Sequence, residues 1–339
     1  AFYEANYSAE RMALALTGSA SLNELEQLAR DIFSDIPRRD LPTITREPIF
    51  LPRKDALRLA TIEPVKEIRK LELEFVVPPT REDFASKSDA LLVELINYAG
   101  PGGLTQYLKD AGLATALDSG IWERTPGYGS FFLEVDLTTD GEQEINRILE
   151  TVFAYIQHLQ ASSFPTEFFE DQARIAALKE TYTDRGEGSG LATTLANQAL
   201  FYPLEIAERA PHVWGQPNEA SYRQLLNVLP PDNLLVTLAA KGLPTDQTEK
   251  IYGTAYAYTE TTGEIYDALL DPTPIADFSL PGINPFMPRN TPILAERALP
   301  LIDEPGLQLF YAADVEFLRP QSTLIFRFVP QREIAGIEG

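Results

Sequence analysis

The apolar positions of this chain fall into short blocks with two different periods. Residues 12–17 are a compact apolar run suited to a buried strand, ended by Gly18. Ser21 with Glu24 three positions on makes a capping-box pair, each side chain able to satisfy the other's backbone N–H at a helix start. Leu22, Leu25, Leu28, Ala29, Ile32 and Phe33 then recur at helical spacing. Residues 41–54 are rich in proline and charge, and they predict a linker. A strand is predicted over 56–65. A second follows in which Ile68, Leu71, Leu73, Phe75 and Val77 alternate with mostly polar residues, the period of a half-buried strand. Residues 86–98 predict a helix with Leu91, Leu92, Leu95 and Ile96 on one face.

Gly100-Pro101-Gly102-Gly103 predicts a sharp turn, followed by a short helix over 104–111 that Gly112 closes. Two strands are predicted over 113–122 and 128–137, then a long helix over 140–158 and another from Pro165. The glycine-rich stretch 186–190 breaks the second of these. Helical spacing returns over 191–202 and 219–229, and 234–240 is a last core strand. Strands arriving in pairs between groups of helices predict an α+β fold. Its sheet is mixed or antiparallel with helices on one face, rather than a doubly wound parallel sheet. Residues 241–297 are rich in proline, tyrosine and threonine and predict a second linker. The apolar runs 299–302, 307–311 and 323–329 open a further domain, and 331–339 are polar. The organisation expected is therefore the tail of a first domain (1–40), a linker (41–54), a complete α+β domain (55–240), a linker (241–297) and the start of a third domain (298–339).

With 339 residues, 44% of them hydrophobic and 23% charged, the chain can bury a sizeable core. No apolar run approaches the ~18 residues of a membrane span. The formal net charge is −22, which repels phosphate backbones and anionic lipid. Nucleic acid and membrane are therefore excluded as expected partners, while basic peptides are favoured. The absence of cysteine removes disulfides, thiolate metal ligands and thiol nucleophiles. The two histidines, His158 and His212, stand 54 positions apart, so no pair sits at the i,i+4 spacing that lets two imidazoles share a zinc ion on one helix. His158 reads as a packing residue on a helix, and His212 lies in a predicted loop. A stand-alone hydrolase would have to be assembled around one of them by folding. There is no Gly-x-Ser-x-Gly elbow and no phosphate loop ending in Gly-Lys-Ser/Thr. Gly186-Glu187-Gly188-Ser189-Gly190 follows a predicted helix rather than a strand, and Glu187 would repel a phosphate.

Several stretches in order resemble the insulinase/pitrilysin family of zinc peptidases. Phe2-Tyr3-Glu4-Ala5-Asn6-Tyr7-Ser8-Ala9-Glu10-Arg11-Met12, with Gly18 and Leu22-Asn23-Glu24-Leu25, resembles the close of the family's first domain. Lys87-Ser88-Asp89 leading to Gly100-Pro101-Gly102-Gly103-Leu104, then Leu108-Lys109 and Gly112-Leu113, resembles the first helical layer of its second domain. Val135-Asp136-Leu137-Thr138 with Gly141 resembles the strand-to-helix step that follows. Asn284-Pro285-Phe286-Met287-Pro288 is similar to the segment joining the two halves, and residues 314–320 resemble the opening of the third domain.

The resemblance implies four homologous LuxS/insulinase-like α+β domains in two bowl-shaped halves that enclose a peptide. It implies a His-x-x-Glu-His zinc motif and a distant Glu ligand upstream of Phe2, and catalytic Arg and Tyr residues in the fourth domain. This chain would then carry no cofactor and no catalytic residue, with zinc belonging to the full-length parent. Its expected partners are peptide substrates and the parent's remaining domains. The expected compartment is the periplasm, on the likeness to bacterial pitrilysin and the lack of cysteine. The alternative is an inactive paralogue serving as a scaffold or partner subunit of a heteromeric protease or complex. The family also implies one binding site here: a strand of the second domain that takes the substrate's N-terminal end as an extra β-strand. It matches Leu117, Asp118, Ser119, Gly120 and Ile121, flanked by Tyr98, with Ser119-Gly120 where the family has Gly-Gly. Small residues on an edge let a peptide backbone approach and pair. The same residues equally suit an ordinary edge strand.

Overall fold

The structure is a computed structural model that describes residues 1–311 apart from 45, 49, 183–185, 187, 289–298 and 305–306. The chain divides into two compact units, Ala1–Ala177 with Arg185–Pro285, and Leu178–Asp184 with Phe286–Gly339. In the described part of the second unit, two strands pair as an antiparallel hairpin with Leu299 opposite Tyr311.

The first unit is built on a mixed sheet. In chain order the helices and strands up to residue 270 are α1 (Phe2–Asn6), α2 (Leu22–Phe33), β1 (Leu57–Ile62), β2 (Lys70–Val77), α3 (Ser88–Ile96), α4 (Leu104–Asp110), β3 (Ala114–Thr125), β4 (Tyr128–Leu137), α5 (Thr139–Gln143), α6 (Ile145–Ala161), α7 (Thr166–Tyr182), α8 (Gly188–Ala199), α9 (Glu219–Asn227), β5 (Leu234–Ala239), β6 (Gln247–Thr248), β7 (Ala255–Thr261) and α10 (Glu264–Leu270). Among the described residues the strand order is β3-β4-β2-β5-β1-β7-β6. Only β1 and β5 run parallel; the other neighbours are antiparallel.

The alternation that predicted β2 decides which face is covered. Leu71, Leu73, Phe75 and Val77 are buried with Phe131, Leu133 and Val135 of β4 and Leu234, Val236 and Leu238 of β5. Against them pack Leu91, Leu92, Leu95 and Ile96 of α3, the apolar face of α6 and Leu225 and Leu226 of α9. Each such large side chain contributes roughly 1.5–3 kcal/mol by leaving water. The opposite face carries Lys70, Glu72 and Glu74 of β2 beside Glu134 and Asp136 of β4, with Lys70 paired to both Glu134 and Asp136. Arg58 fastens the segment before β1. Its buried guanidinium donates to the carbonyls of Leu51 (2.7 Å), Asp232 (3.0 Å) and Leu234 (3.0 Å) and lies over the Phe50 ring.

The α+β class and the one-sided helical layer agree with expectation. Two local expectations do not. Residues 12–17 form no strand: Met12 and Leu14 are 39% and 48% exposed, because none of the described strands lies beside them to complete a ladder. Helix α2 forms with its capping box, Ser21 accepting from Glu24 N and Glu24 from Ser21 N, yet it buries no residue. Within 241–297, expected as a linker, Gln247–Thr248 and Ala255–Thr261 instead extend the sheet. Tyr256 and Tyr258 alternate along β7, which pairs with all six residues of β1, and α10 follows. Prolines flank these elements rather than interrupting them. Phe278 beyond them is buried against Tyr107 and Tyr155. The runs 314–320, 323–329 and 331–339 lie outside the described residues.

Candidate peptide-binding edge

Strand β3 is the terminal strand of the sheet. On one side it pairs with β4, Leu117 opposite Val135 and Ile121 opposite Phe131; on its other side no described strand follows. Its alternation assigns the faces. Leu117 and Ile121 pack partly buried against the core, and Ser119 between them is only 5% exposed. Asp118 is exposed and, with Gly120 and Trp122, belongs to the opposite face. Gly120 is closely approached by its neighbour. A Cβ at this position would fall 2.7 Å from the Phe132 ring, which packs tilted against Trp122 at 4.6 Å. Arg124 then lies over Trp122 and pairs with Glu74 at 3.2 Å.

The C-terminal end of α3 meets this strand. Asn97 caps the helix, and its side-chain Nδ2 donates to the Ser119 carbonyl at 3.2 Å. Asn97 Oδ1 and Ser119 Oγ are both buried and have no hydrogen-bond partner among the described residues. Tyr98 follows directly. The turn behind it is moulded to it: a Cβ on Gly100 would sit 2.3 Å from the Tyr98 hydroxyl, and one on Gly103 2.3 Å from the Tyr98 carbonyl. The Tyr98 ring packs edge-on against Phe168 at 6.2 Å. Thus Leu117, Asp118, Ser119, Gly120 and Ile121 lie along one edge strand, and Tyr98 follows Asn97 with its ring turned to α7. Sequence reasoning missed Asn97, whose contact joins residues 22 positions apart.

It also missed a cavity of about 320 Å³ at the far end of the edge, where Ile121 and Glu123 meet Arg81, Phe84, Lys87 and Tyr202. Arg81 pairs with Glu123 and lies over Phe201, 3.8 Å from the ring centre. Phe84 packs edge-on against Tyr202 at 5.0 Å. Lys87, in a left-handed backbone conformation (φ 51°), is 8% exposed and gives its ammonium to the Ala210 carbonyl at 3.1 Å. Burial holds the Lys87 pKa below the usual lysine range. Burial, then Glu123 and Asp89, raise that of the Tyr202 phenol.

The histidines sit elsewhere. His158 on α6 lies between Tyr155 and Phe278, with Nε2 buried and unpartnered among the described residues, and burial lowers its pKa. His212 ends a short 3-10 turn, Ala210–His212. Among the described residues no three His, Cys, Asp or Glu side chains are grouped so as to hold a metal ion, so they do not fit the zinc centre that the resemblance implies for the parent. Nor is any described helix long and apolar enough to cross a membrane.

The fold and these residues can be set beside known proteins. A family profile described as the peptidase M16 inactive domain matches residues 1–175, and one described as the middle or third domain of peptidase M16 matches residues 181–332. Human insulin-degrading enzyme (Homo sapiens) is 29% identical over 335 residues, covering 96% of this chain and 33% of the relative. The A-factor-processing enzyme of Saccharomyces cerevisiae is 28% identical over 339 residues, with the same two shares. The crystal structure of pitrilysin superposes with a TM-score of 0.77 at 20% identity, covering 89% of this chain and 33% of that one, a likeness of fold. The chain thus spans about a third of the length of the relatives it matches. A similar protein of Arabidopsis thaliana is named as peroxisomal, and a solved structure of similar fold is that of a periplasmic protease of Escherichia coli. The profile match over the sheet and its edge, together with this fold, identifies the chain as a member of the M16, or insulinase/pitrilysin, peptidase family.

Proposed function

We propose that this chain is the non-catalytic, substrate-chamber part of a peptide-degrading zinc peptidase, and that the outer edge of β3 anchors extended peptide there. Metal-dependent cleavage belongs to other parts of the parent enzyme. The observation that supports this is the placement of Leu117–Ile121 on the terminal strand, where alternate N–H and C=O groups turn away from β4. An unpaired strand edge is a template for another chain, and main-chain bonds supply its affinity. With main-chain pairing and no opposing wall, affinity is expected at about 0.1–1 mM.

The test is an NMR titration of an extended peptide into the wild type and into Ser119→Pro. Proline removes a backbone donor from the edge, so chemical shifts around Leu117, Ser119 and Ile121 should appear in the wild type and be lost in the variant, with the peptide left uncleaved. Equal shifts in both proteins would refute the edge as the site. A second reading, an inactive paralogue acting as a scaffold, draws on the exposed apolar stripe of α2. It predicts a stable partner protein but no peptide shifts at β3.

A further inference from the structure

We propose that Asn97 determines how tightly this edge takes a peptide, because its side-chain amide occupies the outward carbonyl of Ser119 that an incoming chain needs. The inference rests on the edge being the peptide site. In an antiparallel strand the N–H and C=O of one residue point to the same side, and successive residues alternate. The Ser119 carbonyl receives Asn97 Nδ2 at 3.2 Å from the end of α3. Ser119 therefore belongs to the outward-facing set, and by alternation so do Leu117 and Ile121. These are the positions whose main-chain groups would pair with a peptide, and the middle one is already engaged by a side chain.

The contact is built to yield. Only the donor half of the Asn97 amide is satisfied; its Oδ1 is buried and unpartnered among the described residues, as is Ser119 Oγ. The opposite orientation of the amide would set two acceptors against each other, so the amide is held with Nδ2 toward the Ser119 carbonyl. A buried acceptor without a donor is costly. When a peptide N–H replaces Nδ2 on the Ser119 carbonyl, that bond is exchanged one for one. The released amide reaches water, where both its halves are satisfied. The edge is thus covered when empty, a common protection of sheet edges against unwanted pairing, and is opened by the ligand itself. A helix C-cap at φ −77° and ψ −6° suits alanine or aspartate as well as asparagine, so the cap can be removed without disturbing α3.

The probe is a blocked, uncharged five-residue peptide of alternating threonine and valine, titrated by NMR into the wild type, Asn97→Ala, Asn97→Asp and Ser119→Pro. Asn97→Ala should bind about threefold to tenfold more tightly, the net worth of one neutral hydrogen bond. Asn97→Asp, which keeps the size and removes the donor, should move in the same direction. In the wild type the Asn97 side-chain amide resonance should shift along the titration, which a residue that merely supports the strand would not show. If Ser119→Pro abolishes binding but both Asn97 variants bind no more tightly than wild type, this inference fails while the edge site stands. If Ser119→Pro binds as well as wild type, both fail together.

Discussion

His158, read from the sequence as a packing residue on a helix, sits among aromatic rings. Its ring is stacked 6.2 Å from Tyr155 and lies 6.3 Å from Phe278, and among the described residues no group of three His, Cys, Asp or Glu could hold a metal ion. Burial lowers its pKa below the usual 6.5, so the unfolded chain binds the proton more readily than the folded one. Its contribution to stability is therefore complete above 6.5 and is lost as pH falls from 6.5 toward the lower folded value. Thermal melts of wild type and His158→Phe across that range should diverge, the wild type losing more as the pH drops; parallel curves would show that this imidazole is not linked to folding. Ser119 and Gly120 were singled out only through the family resemblance, since a small pair on a strand equally suits an ordinary edge. Asn97 was not, since its role depends on where the end of a helix meets a strand 22 residues away, and no local period encodes that.

Elements were legible where one period dominated. β2, α6 and β4 follow from alternation or helical spacing alone, because one side of each is fully committed to the core. β7 and α10 escaped notice because a short strand rich in tyrosine and threonine, between prolines, has the composition of a loop. Its pairing with β1 is a tertiary fact. The loop beyond α10 is likewise part of the domain, since Phe278 inserts between Tyr107 and Tyr155 at 5.2 and 4.9 Å. Phe278→Ala should destabilise the first unit by about 3–5 kcal/mol, as the loss of a buried phenylalanine does. Ile283→Ala nearby, at a position 67% exposed, should change it by no more than about 0.5 kcal/mol. Urea unfolding of the two variants gives the comparison, and similar midpoints would mean that the loop is not held by its aromatic anchor.

At the scale of the whole molecule, charge was fully legible and its geometry was not. A net charge of −22 draws basic chains toward any part of the surface. Peptides carrying lysine should therefore bind more tightly than matched glutamate peptides, and the gap should narrow as salt rises from about 0.01 to 0.15 M, because screening shortens from ~30 to ~8 Å over that range. A preference that salt leaves intact would place the discrimination in buried contacts instead. The capped helix α2 has a consequence for every measurement of this kind. Leu22, Leu28, Ile32 and Phe33 stand in water on a helix whose start is locked by two reciprocal bonds. A stripe that is apolar, ordered and solvent-facing is what environment-sensitive dyes adsorb to. The folded protein should accordingly be bright with such a dye before any heating, and its fluorescence trace will report the dye leaving α2 as much as the core opening.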